Sequence, residues 1–129
     1  MAGGLYGIFR PPGGGGGATV FPEFNEDARR RVALKYPGRV PVLMAKHPSA
    51  VELPDLPKQR FLVPPDLTLG QFVYVVRKHL TLPPEKALFL FVANTLQPSA
   101  VPINHLYHQF GVDGALRIVY TSEATFGSD

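Results

Sequence analysis

The stretch Asp66-Leu67-Thr68-Leu69-Gly70-Gln71-Phe72-Val73-Tyr74-Val75-Val76-Arg77-Lys78-His79-Leu80 carries the clearest structural signal in the chain. Leu69, Phe72, Val73, Val76 and Leu80 recur at the spacing of one buried helical face. Thr68 stands just before them and Gln71 three residues later, the pairing of a capping box. Pro83-Pro84 stops the helix. Phe72 and Val76 lie on the face that must bury against a sheet.

Working outward toward the N-terminus, Arg60 to Val63 reads as a short strand ahead of Pro64-Pro65. Val40 to Ala45 reads as another, and Pro41 within it predicts an edge or a bulge. His47 to Lys58 holds three prolines and reads as a loop. An earlier helix starts from Asn25 as N-cap, with Glu26 and Asp27 placed well against its positive end, and runs to about Lys35 before Pro37-Gly38. On the C-terminal side, Leu88, Leu90 and Val92 alternate with Phe89 and Phe91, the pattern of a strand covered on both faces. Ile103, Leu106, Tyr107 and Phe110 mark a short helix closed by Gly111. Leu116 to Thr121 is the final strand. Two adjoining strands, a crossover helix and further strands predict an α+β domain with a mixed four-stranded sheet. The ubiquitin-like β-grasp is one fold with this order, and the order alone leaves others open.

The 129 residues fit one domain. Eight of the thirteen glycines fall in residues 3–17, a segment with little to bury. We therefore divide the chain into a Gly/Pro-rich flexible tail (1–22), a packed domain (23–122) and a C-terminal tail (123–129). The formal net charge of +3 is too mild to imply a nucleic-acid partner. The absence of cysteine excludes a disulfide framework, a thiolate metal site, a cysteine nucleophile and prenylation, and Ala2 excludes N-myristoylation. No secretory signal is expected, and the longest apolar run, Ala87 to Ala93, is far short of a membrane span. His105 and His108 stand i, i+3 without an acidic or thiolate partner nearby, so no metal is expected. No nucleophile, base and oxyanion set is visible, so neither catalytic residues nor a cofactor are expected and the chain is not read as an enzyme. Arg29-Arg30-Arg31 point in different directions on a helix and read as a solvated face.

Several long blocks, in order and spacing, resemble the autophagy ubiquitin-like modifiers, the relatives of gamma-aminobutyric-acid-receptor-associated protein. They are Arg39-Val40-Pro41-Val42, Lys58 to Pro64, Asp66 to Lys78, Leu82 to Ala87 and Thr125-Phe126-Gly127. The resemblance implies a ubiquitin-like fold preceded by N-terminal helical structure. It implies cleavage by a cysteine protease after Gly127, where Ser128-Asp129 follow, with Phe126 as an apolar anchor. Activating and conjugating enzymes would then transfer the glycine carboxylate to phosphatidylethanolamine. The expected location is cytoplasmic, with a lipidated pool on autophagosomal membranes. A non-lipidated adaptor in cytoskeletal or vesicle traffic is the alternative.

The resemblance also implies a groove for peptides of the form aromatic-x-x-aliphatic carried by cargo receptors. Such a peptide adds a strand to the sheet edge at Arg60 to Val63. The aliphatic pocket maps to Phe61, Val63, Pro64, Leu67, Phe72, Val75 and Val76, with Val63 and Leu67 as the more exposed positions. The aromatic pocket maps to Val32, Pro41, Leu43, Arg60 and Leu62. Lys58, Arg60 and Arg39 are placed to attract acidic flanks. Many relatives carry a glutamate where Ala28 stands and a phenylalanine where Ala115 stands, so here the pocket is expected to be wider and to lack an acceptor for an indole N–H. Phe89 and Phe91 match a surface used by the processing and activating enzymes, although alternating aromatics on a central strand also read as core.

Overall fold

The computed structural model describes residues 19–124. Helix α1 spans Glu26–Lys35, and the Asn25 side chain accepts a hydrogen bond from the Ala28 N–H as its cap. Strands β1 (Val40–Lys46) and β2 (Arg60–Val63) follow. Helix α2 (Leu69–Leu80) then crosses the sheet. Its capping box is complete: Gln71 N donates to Thr68 Oγ1 at 3.2 Å and Thr68 N to Gln71 Oε1 at 2.9 Å. Strands β3 (Phe89–Val92) and β4 (Thr95–Leu96), helix α3 (Ile103–Phe110) and strand β5 (Leu116–Thr121) complete the chain of elements.

Among the described residues the sheet has five strands, in the order β2-β1-β5-β3-β4. The expected four-stranded sheet gains β4, a two-residue strand joined to β3 through Ala93 and Asn94. Both turn residues have positive φ, as a tight two-residue hairpin turn requires. The central β1·β5 pair is parallel and the other pairs are antiparallel. This is the ubiquitin-like arrangement, a mixed sheet of the α+β class.

Both faces of the sheet are covered. Val42 and Met44 of β1, Leu116, Ile118 and Tyr120 of β5, and Leu90 and Val92 of β3 pack with Leu69, Phe72, Val76 and Leu80 of α2. Ile103 and Leu106 of α3 close the same core. The alternate residues Leu43, Ala45, Val119 and Phe91 are buried on the opposite face. Thr19 is 6% exposed and Phe21 is half-buried. The packed part of the chain therefore reaches back at least to Thr19, before the boundary expected at residue 23.

Three local expectations change. Pro41 sits neither on an edge nor on a bulge, because β1 lies between β2 and β5. It is tolerated because pairing with β5 starts only at Val42, while the β2-facing donors belong to alternate residues such as Met44. Gly111 closes α3 in extended backbone (φ −65°, ψ 142°), not in a left-handed cap. Its missing Cβ is required by crowding, since that atom would lie 2.5 Å from the Tyr107 carbonyl oxygen. The proline-rich segment 47–58 is anchored as well as looped. Leu53 and Leu56 enter the core, and the Tyr120 hydroxyl donates to Pro54 O and accepts from Leu56 N. Burial pushes that phenol up to about 12.

Candidate functional site

Among the described residues, strand β2 ends the sheet and has one strand neighbour, β1. The register pairs Val42 with Phe61 and Val40 with Val63, and Met44 N donates to Gln59 O at 2.8 Å. In an antiparallel ladder, bonded and non-bonded pairs alternate. The backbone groups of Phe61 and Val63 thus face β1, and those of Arg60 and Leu62 turn outward. The outward carbonyl of Leu62 accepts a hydrogen bond from Arg39 Nη1 at 3.2 Å. An incoming strand would displace that side chain and use the same oxygen.

A cavity of 460 Å³ opens beside this edge. It brings together all five residues assigned to the aromatic pocket, Val32, Pro41, Leu43, Arg60 and Leu62, and adds Phe24, Tyr36, Arg39, Lys58 and Phe61. Local structure explains the gathering. Ala28, Val32 and Tyr36 follow one another at helical i, i+4 spacing along α1. Arg60 Nε and Nη2 both donate to Glu23 O, at 3.0 and 2.9 Å. That fork holds the segment entering α1 against the sheet edge and sets Phe24 into the wall. Lys58 Nζ lies 5.2 Å from the Phe61 ring centroid, a cation–π contact that fixes a charge at the rim.

A second cavity of 430 Å³ adjoins the first, sharing Phe24, Val32, Tyr36 and Arg60. Ala28, Arg31, Lys35 and Glu23 are among its other walls. The three consecutive arginines part here. Arg29 reaches the Phe24 and Asp113 carbonyls, Arg30 pairs with Glu26 and Asp27, and Arg31 turns to the cavity. Ala115 is fully buried and lies outside the lining of either cavity. Phe24, Tyr36 and Lys35 are not assigned to the groove by the sequence, and Arg31, read there as part of a solvated face, lines the second cavity. The i, i+4 relation of Arg31 to Lys35, and of Val32 to Tyr36, was the available signal.

The residues assigned to the aliphatic pocket are spread more widely. Phe61, Val63, Phe72 and Val76 belong to the core, and Val63 is only 3% exposed, contrary to the expectation of an open position. Its side chain faces α2 because β2 has one buried side. Pro64 is exposed, and Leu67 and Val75 are half-buried. Leu67 and Val75 alone of the seven line a 710 Å³ depression, together with Gln71, Tyr74 and Ser99. Edge-to-face contacts join Phe61 to Phe72 (5.4 Å) and to His79 (5.3 Å). The core therefore backs this end of the edge directly.

Phe89 is half-buried, and Phe91 is 5% exposed on the sheet face away from α2. His108 Nε2 lies 3.0 Å from Asn104 Oδ1. No described helix is long and apolar enough to cross a membrane. Phe126, Gly127, Ser128 and Asp129, and the glycine-rich segment 3–17, lie outside the described residues.

The family model for "Autophagy protein Atg8 ubiquitin like" matches residues 25–127. Autophagy-related protein 8a of Arabidopsis thaliana is 48% identical over 99 residues, covering 76% of this chain and 80% of that protein. Autophagy-related protein 8 of Dictyostelium discoideum is 47% identical over 109 residues, covering 80% and 88%. Among solved structures, the crystal structure of Trypanosoma brucei ATG8 superposes with a TM-score of 0.70 at 36% identity, covering 78% of this chain and 87% of that one.

Proposed function

This chain belongs to the Atg8 family of autophagy ubiquitin-like proteins, and from that premise we propose that it is trimmed after Gly127 and joined to phosphatidylethanolamine. On autophagosomal membranes it recruits cargo receptors carrying aromatic-x-x-aliphatic peptides. A processing protease and the activating and conjugating enzymes of the lipidation pathway act on its C-terminal tail and use a surface at half-buried Phe89, with buried Phe91 supporting it from within the sheet. The unconjugated pool is cytoplasmic. Its own work is binding, with other proteins supplying the catalysis.

The observation that carries the recruiting half is the margin of β2 that no strand among the described residues pairs. Arg60 and Leu62 offer outward backbone groups beside a preformed cavity. Strand addition draws affinity from such groups and specificity from alternate side-chain pockets. The aromatic residue enters the cavity lined by Val32, Pro41, Leu43, Arg60 and Leu62. The aliphatic residue lies over Pro64, Leu67 and Val75, with Phe61, Val63, Phe72 and Val76 as the floor. Lys58 and Arg39 favour acidic flanks.

Ala28 sets the test of this reading. Without a carboxylate at that position, an indole N–H loses a charge-assisted hydrogen bond worth about 1.5–3 kcal/mol. Tryptophan and phenylalanine versions of one acidic-flanked peptide, titrated calorimetrically, are expected to bind with less than about a tenfold difference. Failure of both to bind would contradict the groove. A larger tryptophan advantage would mean that the N–H finds an acceptor after all, with Glu23 the carboxylate in the adjoining wall.

A further inference from the structure

The two cavities beside β2 concentrate charge. Arg31, Lys35, Arg39, Lys58 and Arg60 line them, against one carboxylate, Glu23. Five cations less one acid leave +4, against +3 for the whole chain, so the chain's entire positive excess is gathered here. The charge is not evenly placed. The first cavity touches β2 through Arg60, Phe61 and Leu62 and has an apolar wall in Val32, Pro41 and Leu43. The second touches β2 only at Arg60 and lies along α1, where Ala28 adds neither bulk nor charge and Glu23 is the one carboxylate against Arg31, Lys35 and Arg60. The side chains of Arg31 and Lys35 make no ion pair or hydrogen bond among the described residues, while Arg30 beside them is paired. Arg60 keeps one guanidinium nitrogen beyond the two committed to Glu23 O.

The two cavities lie side by side along the shared walls Phe24, Val32, Tyr36 and Arg60, the first lined by more of the sheet edge and the second by more of α1. A ring seated in the first cavity with an anion at its far end fits that arrangement. We propose that the aromatic position of the peptide ligand is best filled by phosphotyrosine, its ring in the first cavity and its phosphate in the second, against Arg31, Lys35 and Arg60. A phosphate carries between −1.5 and −2 charges near neutral pH and three acceptor oxygens, which three cationic donors match. Unmodified tyrosine would carry a hydroxyl into the same cationic space with no charge to answer it. Phosphorylation of the receptor peptide thereby becomes an on-switch for capture. This rests on the groove reading above and names the ligand chemistry it selects.

The test uses the full chain and four peptides of one sequence with leucine three residues after the anchor. The anchor is phenylalanine, tyrosine or phosphotyrosine, and the fourth peptide has a phenylalanine anchor preceded by phosphoserine. Binding is read by fluorescence anisotropy at low and physiological salt. The phosphotyrosine peptide is expected to bind at least about tenfold tighter than the tyrosine peptide, with the steeper salt dependence. In the exposed-site double variant Arg31→Gln/Lys35→Gln, and separately in Ala28→Glu, the ratio of phosphotyrosine to tyrosine affinity should fall to near one or below. Equal or weaker binding of phosphotyrosine, while the tyrosine peptide binds, overturns the proposal and leaves the groove standing. An equal gain from the phosphoserine peptide also overturns it, because the cations would then read an anion beside the ring. Binding by none of the four removes the groove reading itself.

Discussion

Cells expressing the Gly127→Ala chain are expected to hold it at full length and in the soluble fraction. The wild-type chain should lose Ser128-Asp129, gain the mass of a phospholipid, and leave the membrane fraction only with detergent. The expected effect is complete: a lipidated fraction reduced to background. The physical reason is local. A glycine acyl group has no Cβ to obstruct a narrow active-site cleft or the attack on its carbonyl, and alanine introduces that atom at every step from trimming to transfer. Two acyl chains at ~0.8 kcal/mol per buried methylene make the anchor stable where one chain would be marginal, so losing the attachment loses the membrane. The substitution lies outside the described domain, 19–124, so its circular dichroism and thermal unfolding should match the wild type. A membrane pool that survives in the variant contradicts conjugation at Gly127. A wild-type chain of unmodified mass favours the adaptor that works without lipid.

The second large effect lies in the core. Phe72 is 1% exposed on α2 and meets Phe61 of β2 edge-to-face at 5.4 Å. Phe72→Ala removes a buried ring at the centre of the α2 face and leaves a cavity, an expected loss of about 3–5 kcal/mol. For a domain of this size that corresponds to a fall in Tm of roughly 12–20 °C. Peptide affinity should fall with it, since Phe61 has lost the ring that seats it and carries both the Lys58 cation and the His79 edge contact. Denaturant unfolding and peptide titration on the same samples check both halves. A loss under about 1 kcal/mol would mean that Phe72 is not a core residue, and unchanged affinity would separate the core from the groove.

Short-range chemistry made most of the fold readable in the sequence. The Thr68–Gln71 box, the apolar spacing through Leu80 and the Asn25 cap are all settled within a few residues, and each element they bound is where the pattern places it. What escaped depended on partners distant in sequence. Strand β4 is two residues long and its turn uses Ala93-Asn94, where glycine would have announced a hairpin. Pro41 looks like an edge residue until the β5 register shows that pairing begins one position later. Gly111 looks like a left-handed cap until the Tyr107 carbonyl is seen to occupy the space of a side chain. The same divide runs through the groove. The aromatic pocket is built around β-strand and α1 residues whose spacing is regular, and the five residues assigned to it line one cavity. Phe24 enters its wall only because Arg60 clamps the Glu23 carbonyl 37 residues away, which no local pattern encodes. Val63 was assigned to the open side of a strand whose buried side is set by α2.

Amide hydrogen exchange across the sheet margin, with and without a saturating acidic-flanked aromatic-x-x-leucine peptide, tests strand addition most directly. The N–H groups of Arg60 and Leu62, turned away from β1, should exchange fast in the free chain and slow sharply on binding. Those of Phe61 and Val63, already turned to β1, should change little. Saturable binding that leaves Arg60 and Leu62 unprotected, or that protects amides around Tyr74 on the outer side of α2 instead, would contradict it.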